Sequence, residues 1–155
     1  MTEPLNSREL RDAFGCFVTG ITVVTGLDGQ DKALGVPANS FSSLSLDPPL
    51  VQWSLGRQAA TFEAFHKAKA FTITVLGADG ETLSRRFASR GTHHVDAAHA
   101  VPTELGPPTF AGALAVFECE AHRHYDGGDH VIFVGRVTRF SHAADRDAKI
   151  GRAHV

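Results

Sequence analysis

The sequence predicts a mainly β protein: a small antiparallel barrel of about six strands with a few short helices. Three observations lead there. About six runs rich in β-branched and aromatic residues follow one another in hairpin-like succession, with turn residues between most of them. The helical stretches are few and short, without the regular strand–helix alternation that builds a parallel sheet. The signatures of nucleotide-binding parallel folds, G-x-G-x-x-G after a strand and G-x-x-x-x-G-K, do not occur.

Each element has a local reason. Asn6 can cap a helix, and Glu9 three residues later makes a capping-box-like pair. Leu10, Ala13, Phe14 and Phe17 recur at the helical period, predicting about three turns of amphipathic helix ended by Gly20. Ile21 to Thr25 is β-branched throughout and reads as a strand. Leu27-Asp28-Gly29-Gln30 supplies a turn, and Ala33 to Ala38 returns as the hairpin partner. Leu50 to Leu55 is a strongly apolar strand. Ala59 to Lys67 gathers Ala59, Phe62 and Phe65 on one helical side. Ala70 to Leu76 alternates apolar and polar residues, so one of its faces meets the core.

A second short amphipathic helix, Gly80 to Ser89, carries Leu83 and Phe87 four apart. Gly91 to Pro108 is rich in Gly, Pro and His, and its length predicts a flap or surface loop. Two long strands, Leu114 to Arg123 and His130 to Phe140, close the readable part across the turn Asp126-Gly127-Gly128-Asp129.

Whole-chain properties narrow the function classes. A length of 155 residues fits a single domain, 1–155, with its own core. Fifteen basic against seventeen acidic residues leave a formal charge of −2, which offers nothing to nucleic acid or an anionic membrane. No stretch approaches the roughly 20 apolar residues of a membrane span. The polar start MTEPLNSRELRDAF is unlike a secretory signal, which points to a cytoplasmic protein. Cys16 and Cys119 then read as free thiols, not a disulfide framework.

Residues 35–50, GVPANSFSSLSLDPPL, form the most unusual segment. Asn39, Ser40, Ser42, Ser43 and Ser45 cluster with no charge before Asp47, and Pro48-Pro49 stiffens the exit. Such clusters satisfy anionic oxygens with hydroxyl and N–H groups; read singly, they are turns. The stretch Ser54-Leu55-Gly56-Arg57-Gln58-Ala59-Ala60-Thr61 joins a strand to a helix start, where free N–H groups suit a phosphate. Thr61 offers a hydroxyl there. Arg57 offers a cation, although as a single arginine it reads better as a solvated loop charge.

Eight of the nine histidines lie between residues 93 and 154. His93, His94 and His99, or Cys119 with His122 and His124, have the composition of a metal site. Simple strand alternation puts His122 and His124 on one face and Cys119 on the other, which is poor geometry for a tetrahedral ion. No metal is expected.

Four segments in order carry a family resemblance: Phe17 to Thr25, Asn39 to Leu50, Leu83-Ser84-Arg85-Arg86-Phe87-Ala88 and Gly128 to Val137. Over about residues 10–140 the chain resembles the short-chain flavin reductases, the reductase components of two-component flavin-dependent monooxygenases. The resemblance implies an FMN-binding split barrel, the six-stranded split β-barrel of that family. It implies a homodimer that reduces FMN or FAD with NADH or NADPH and passes the product to a monooxygenase. It implies a flavin lined by Pro37, Ala38, Asn39, Ser40, Phe41, Ser54, Leu55, Gly56, Ala60, Thr61, Arg86 and Phe87, with nicotinamide beside Gly128, Asp129 and His130. No residue stands out as a catalytic acid or base. From the residues themselves, Phe87 serves equally well as a core anchor spaced from Leu83.

The tail after Ser141, HAADRDAKIGRAHV, departs from the family, whose members add a final strand near the dimer interface. The alternative from a different class is a non-catalytic flavin- or haem-binding split-barrel protein; His130 and an open nicotinamide side discriminate the two, as does NADH oxidation with added FMN. Chemistry like that of pyridoxine-phosphate oxidases is disfavoured, because the arginine-rich phosphate pocket expected for it has no counterpart.

Overall fold

The computed structural model describes residues 4–143, apart from 90 and 92. The atypical tail after Ser141 lies almost wholly outside the described residues. The elements run α1 (Ser7–Gly15), β1 (Thr22–Leu27), β2 (Ala33–Ala38), β3 (Ser42–Leu46), β4 (Pro49–Gly56), α2 (Phe62–Lys67), β5 (Ala70–Val75), α3 (Glu81–Ala88), β6 (Ala100–Val101), β7 (Thr109–Phe110), β8 (Ala115–Gly127) and β9 (His130–His142). Seven strands join one antiparallel sheet in the order β2-β1-β5-β8-β9-β4-β3, and β6 pairs with β7 in a separate ribbon. Among the described residues no helix is long and apolar enough to cross a membrane.

The sheet curls on itself. β2 and β4 lie far apart in the strand order, yet they touch. Leu34 and Ala38 of β2 share one buried cluster with Val51, Trp53 and Leu55 of β4, together with Phe62, Phe65, Phe71, Ile73, Cys119, Val131 and Phe133. This is the barrel interior. β4 shows the alternation that makes it: Val51, Trp53 and Leu55 are buried while Gln52, Ser54 and Gly56 are part-exposed. A second cluster, Val23, Phe87 and Phe110 with Leu76, Leu83 and Val95, fills the opposite face of β1 under α3. Thus β1 is buried on both sides.

Three expectations are corrected here. The main sheet has seven strands instead of six, because Ser42–Leu46 pairs with β4 across a bulge between Ser43 and Ser45. Serine is a poor strand former, so backbone pairing to β4, not propensity, makes this exposed edge. The first helix ends at Gly15, five residues before Gly20. Asn6 Oδ1 accepts from the N–H groups of Arg8 and Glu9 at 3.0 and 3.2 Å, as a cap should. But no residue of α1 is buried against the described chain, so nothing here rewards a third turn.

The excursion 91–108 is also not a free flap. Its 93–95 segment covers the outer edge of β2, through Gly35 N–H to His93 O and Val95 N–H to Ala33 O. Its far end is buried from Pro107 to Phe110. Thr25 Oγ1 donates to Pro108 O at 2.5 Å, Thr72 Oγ1 donates to Pro107 O at 2.7 Å, and Thr74 Oγ1 meets Thr109 Oγ1 at 2.7 Å. Threonines of β1 and β5 that looked like ordinary strand residues therefore hold this segment down, satisfying the carbonyls of Pro107 and Pro108 and the hydroxyl of Thr109.

Candidate functional site

Three of the segments singled out in the sequence, 39–41, 54–56 and 128–130, come together around the end of β4. β3 pairs with β4 only as far as Ser42 opposite Gln52. Beyond that point a side chain takes over from the backbone ladder. Ser40 Oγ accepts from Ser54 N–H at 2.9 Å and donates to Ser54 O at 3.3 Å. This pair of bonds ties residues 39–41 to the end of β4. Asn39 and Ser40 are exposed, whereas Phe41 is half-buried, its ring 5.5 Å from that of Phe117. Behind them Pro37 and Ala38 end β2, and Thr22 Oγ1 donates to Ala38 O at 2.6 Å.

β4 also carries the nicotinamide candidates. In the β4–β9 register Ser54 faces Ile132 and Gly56 faces His130. A Cβ added at Gly56 would stand 3.7 Å from His130 Nε2, so this glycine leaves open the space beside the ring. His130 Nδ1 lies 2.7 Å from Asp129 Oδ1. That hydrogen bond and the charge of His130 hold the Asp129 carboxyl below its usual range. With Nδ1 committed to a carboxylate, Nε2 is the ring atom left to face Gly56. Gly128, at φ +78°, makes the turn that brings Asp129 and His130 round.

Arg57 is exposed, as its reading as a solvated loop charge has it, but it also makes specific bonds. Its N–H donates to Asp129 O at 2.9 Å, its Nε donates to Gly128 O at 3.0 Å, and its Nη2 pairs with Asp126 Oδ1. No signal in sequence spacing pairs residue 57 with residue 126; only the β4–β9–β8 order brings them together.

Other candidate side chains face inward. Leu55 and Thr61 are buried, as is Ala38, so of these three only the backbone borders the end of the barrel. Thr61 precedes α2 without a side-chain capping bond, whereas Ala60 is exposed. Phe87 is a core anchor. It is 3 % exposed and packs on Phe110, and a Cβ on Gly35 would stand 3.0 Å from its ring. Its ring supports β2 from behind, and Arg86 beside it is half-buried.

The histidine and cysteine geometry differs from simple alternation. Register shifts mark two bulges: Thr138 of β9 is the extra residue between the partners of Glu118 and Cys119, and His122 of β8 is the extra residue between Ala121 and Arg123. Cys119, Ala121 and His124 pair with Val137, Gly135 and Phe133, alternate residues of β9, so they share a face and His122 falls in the bulge. His124 packs 4.7 Å from Phe133 and 4.8 Å from His66, and burial together with the His66 charge holds its pKa below the ordinary histidine value. Burial pushes the Cys119 thiol up to about 12, helped by Glu118, so at neutral pH it is not a thiolate. Among the described residues no group of three or more potential metal ligands gathers.

The flavin reductase like domain matches residues 14–152 of this chain. The FMN reductase (NADH) SmoA of Agrobacterium fabrum is 44% identical over 137 residues, 88% of this chain and 78% of that protein. The reductase component of the flavin-dependent trigonelline monooxygenase of Acinetobacter baylyi is 38% identical over 136 residues, 88% of this chain; the chain spans 44% of that relative's length. Among solved structures, the NADH:FAD oxidoreductase of Streptomyces globisporus in complex with NAD and FAD fragments superposes with a TM-score of 0.86 at 39% identity, covering 95% of this chain and 88% of that one.

Proposed function

The chain belongs to the family of flavin reductase like domains, and from that premise we propose that it takes a hydride from NADH or NADPH, reduces FMN or FAD, and supplies the reduced flavin to a partner monooxygenase in the cytoplasm. The observation that carries this reading is the open surface at Gly56. It lies between the Asn39–Ser40 segment tied to Ser54 and the imidazole of His130. The groups there suit a flavin: the exposed Asn39 side chain, a 39–41 backbone that the Ser40 hydroxyl ties to Ser54, and a thin glycine backbone, with polar groups toward the ribityl phosphate and little bulk toward a flat ring.

In this mechanism the bound flavin supplies the acceptor for a hydride, and the protein acts mainly by positioning. Residues 37–41 and 54–56 hold it, with Ala60, Thr61 and Arg86 at the margins and Phe87 supporting β2 from behind. Gly128, Asp129 and His130 orient the nicotinamide. Asp129 fixes the imidazole, and His130 Nε2 offers a hydrogen-bonding atom toward the Gly56 side. No side chain needs to act as acid or base.

His130→Ala tests this division of roles. Losing one hydrogen bond to substrate should raise KM for NADH about tenfold and lower kcat/KM in step. Flavin affinity, read by fluorescence quenching, should stay nearly constant. Loss of flavin binding with an unchanged NADH dependence would overturn the assignment.

The same reading includes a homodimer of single-domain subunits. α1 and the residues after it expose Phe14, Phe17 and Val18, β3 exposes Leu44 and Leu46, and β9 exposes Phe140. Phe17 is 78%, Leu46 95% and Phe140 70% accessible in one protomer. That is more large apolar surface than an isolated small protein ordinarily leaves in water. Sedimentation at micromolar concentration should give a dimer; monomer alone would count against it.

A further inference from the structure

The Arg57 side chain grips the β8–β9 turn from two directions, through the carboxylate of Asp126 before it and the carbonyl of Gly128 within it, while the Arg57 backbone N–H donates to Asp129 O. We propose that Arg57 is a positioning residue for nicotinamide binding, clamping this turn onto the end of β4 so that His130 stays opposite Gly56. The inference rests on the reading of His130 given above.

The turn has reason to need a clamp. Gly127-Gly128 is its most permissive dipeptide, and Gly128 holds a positive φ. Residues 122–130 are all exposed, so little burial restrains them. Arg57 immediately follows Gly56, the residue that faces His130 in the β4–β9 register. A clamp at this point therefore acts on the residue pair that matters. The two carboxylates of the turn divide the work: Asp126 pairs with Arg57, while Asp129 engages His130 Nδ1.

The ion pair adds little to global stability, since the side chains of Arg57 and Asp126 are 44% and 79% exposed. Its effect is local order. A planar guanidinium reaches a carboxylate and a carbonyl with separate N–H groups at the same time. The ammonium of lysine is a point charge on a flexible stem and does not hold both in fixed geometry.

The test compares Arg57→Ala, Arg57→Lys and Asp126→Asn with His130→Ala in the full chain. NADH oxidation is measured at saturating FMN, and FMN affinity by fluorescence quenching. Arg57→Ala and Arg57→Lys should each raise KM for NADH about fivefold or more, with kcat and FMN affinity changed less than about twofold. Asp126→Asn should move KM in the same direction, and adding it to Arg57→Ala should have almost no further effect. Failure of lysine to rescue separates geometry from charge; the two conservative variants keep the test decisive should Arg57→Ala fold poorly. FMN affinity that falls while KM for NADH holds would make Arg57 a flavin-phosphate ligand and overturn the proposal. So would an unchanged KM in the Arg57 variants when His130→Ala raises it, which sinks the clamp alone. An unchanged KM in His130→Ala sinks the nicotinamide reading, and the clamp with it.

Discussion

Ser40→Ala is expected to weaken flavin binding by about 1–3 kcal/mol, or about 5- to 150-fold. The sequence suggests a direct bond from this hydroxyl to an anionic oxygen of the ligand. The structure uses the hydroxyl differently. It accepts from Ser54 N–H at 2.9 Å and donates to Ser54 O at 3.3 Å, where pairing between β3 and β4 has stopped. Alanine leaves both groups without this partner and releases residues 39–41 from β4. The loss in flavin affinity then comes from a disordered binding edge, and an unfilled N–H at the margin of the site adds to it. Ser54→Ala keeps the backbone groups and should cost far less. Fluorescence titration of both variants checks this, alongside thermal unfolding to show that Ser40→Ala folds. Equal flavin affinity in Ser40→Ala and the parent protein would remove the 39–41 segment from the site.

Trp53→Ala should destabilise the protein by about 3–5 kcal/mol, a large part of the roughly 5–15 kcal/mol that holds a domain folded. Trp53 is 1 % exposed at the centre of the barrel. Its ring stacks on Phe133 with centroids 4.8 Å apart and meets Phe65 and Phe71 edge-on at 5.1 and 5.7 Å. These partners come from β9, α2 and β5, so one side chain joins elements from both halves of the chain. Its Nε1 is buried without a hydrogen-bond partner. Trp53→Phe should therefore cost clearly less than the alanine change, because it discards an unsatisfied donor along with the lost apolar area. Urea denaturation measures both. A loss below about 1 kcal/mol for Trp53→Ala would mean that the ring is not the centre of the core.

Much of this protein is legible in its sequence because the signals are local. The β-branched run at 21–25 becomes β1 and the apolar run at 50–55 becomes part of β4, while the alternating stretch 70–76 becomes β5, buried on both faces where one was expected. Asn6 caps the first helix with its own side chain. The order of motifs is equally plain, and with it the family.

Other features depend on partners far along the chain. Nothing near Ser42–Leu46 marks it as a strand; β4 makes it one. No local pattern announces that Thr25, Thr72 and Thr74 hold down residues 107–109. Periodicity along β8 misplaces His124 because the bulge at His122 changes which residues share a face with Cys119.

At the site, the order of residues settles which groups are available: the hydroxyl cluster at 39–45, the glycines at 56 and 128, and the histidine at 130. How they are used comes from the folded sheet. It turns Phe87 and Leu55 inward, commits the Ser40 hydroxyl to Ser54, and sets Arg57 against Asp126, 69 residues away. Propensity and periodicity act over a few residues, whereas a side chain's hydrogen bonds and burial follow from whichever strand the curled sheet places beside it.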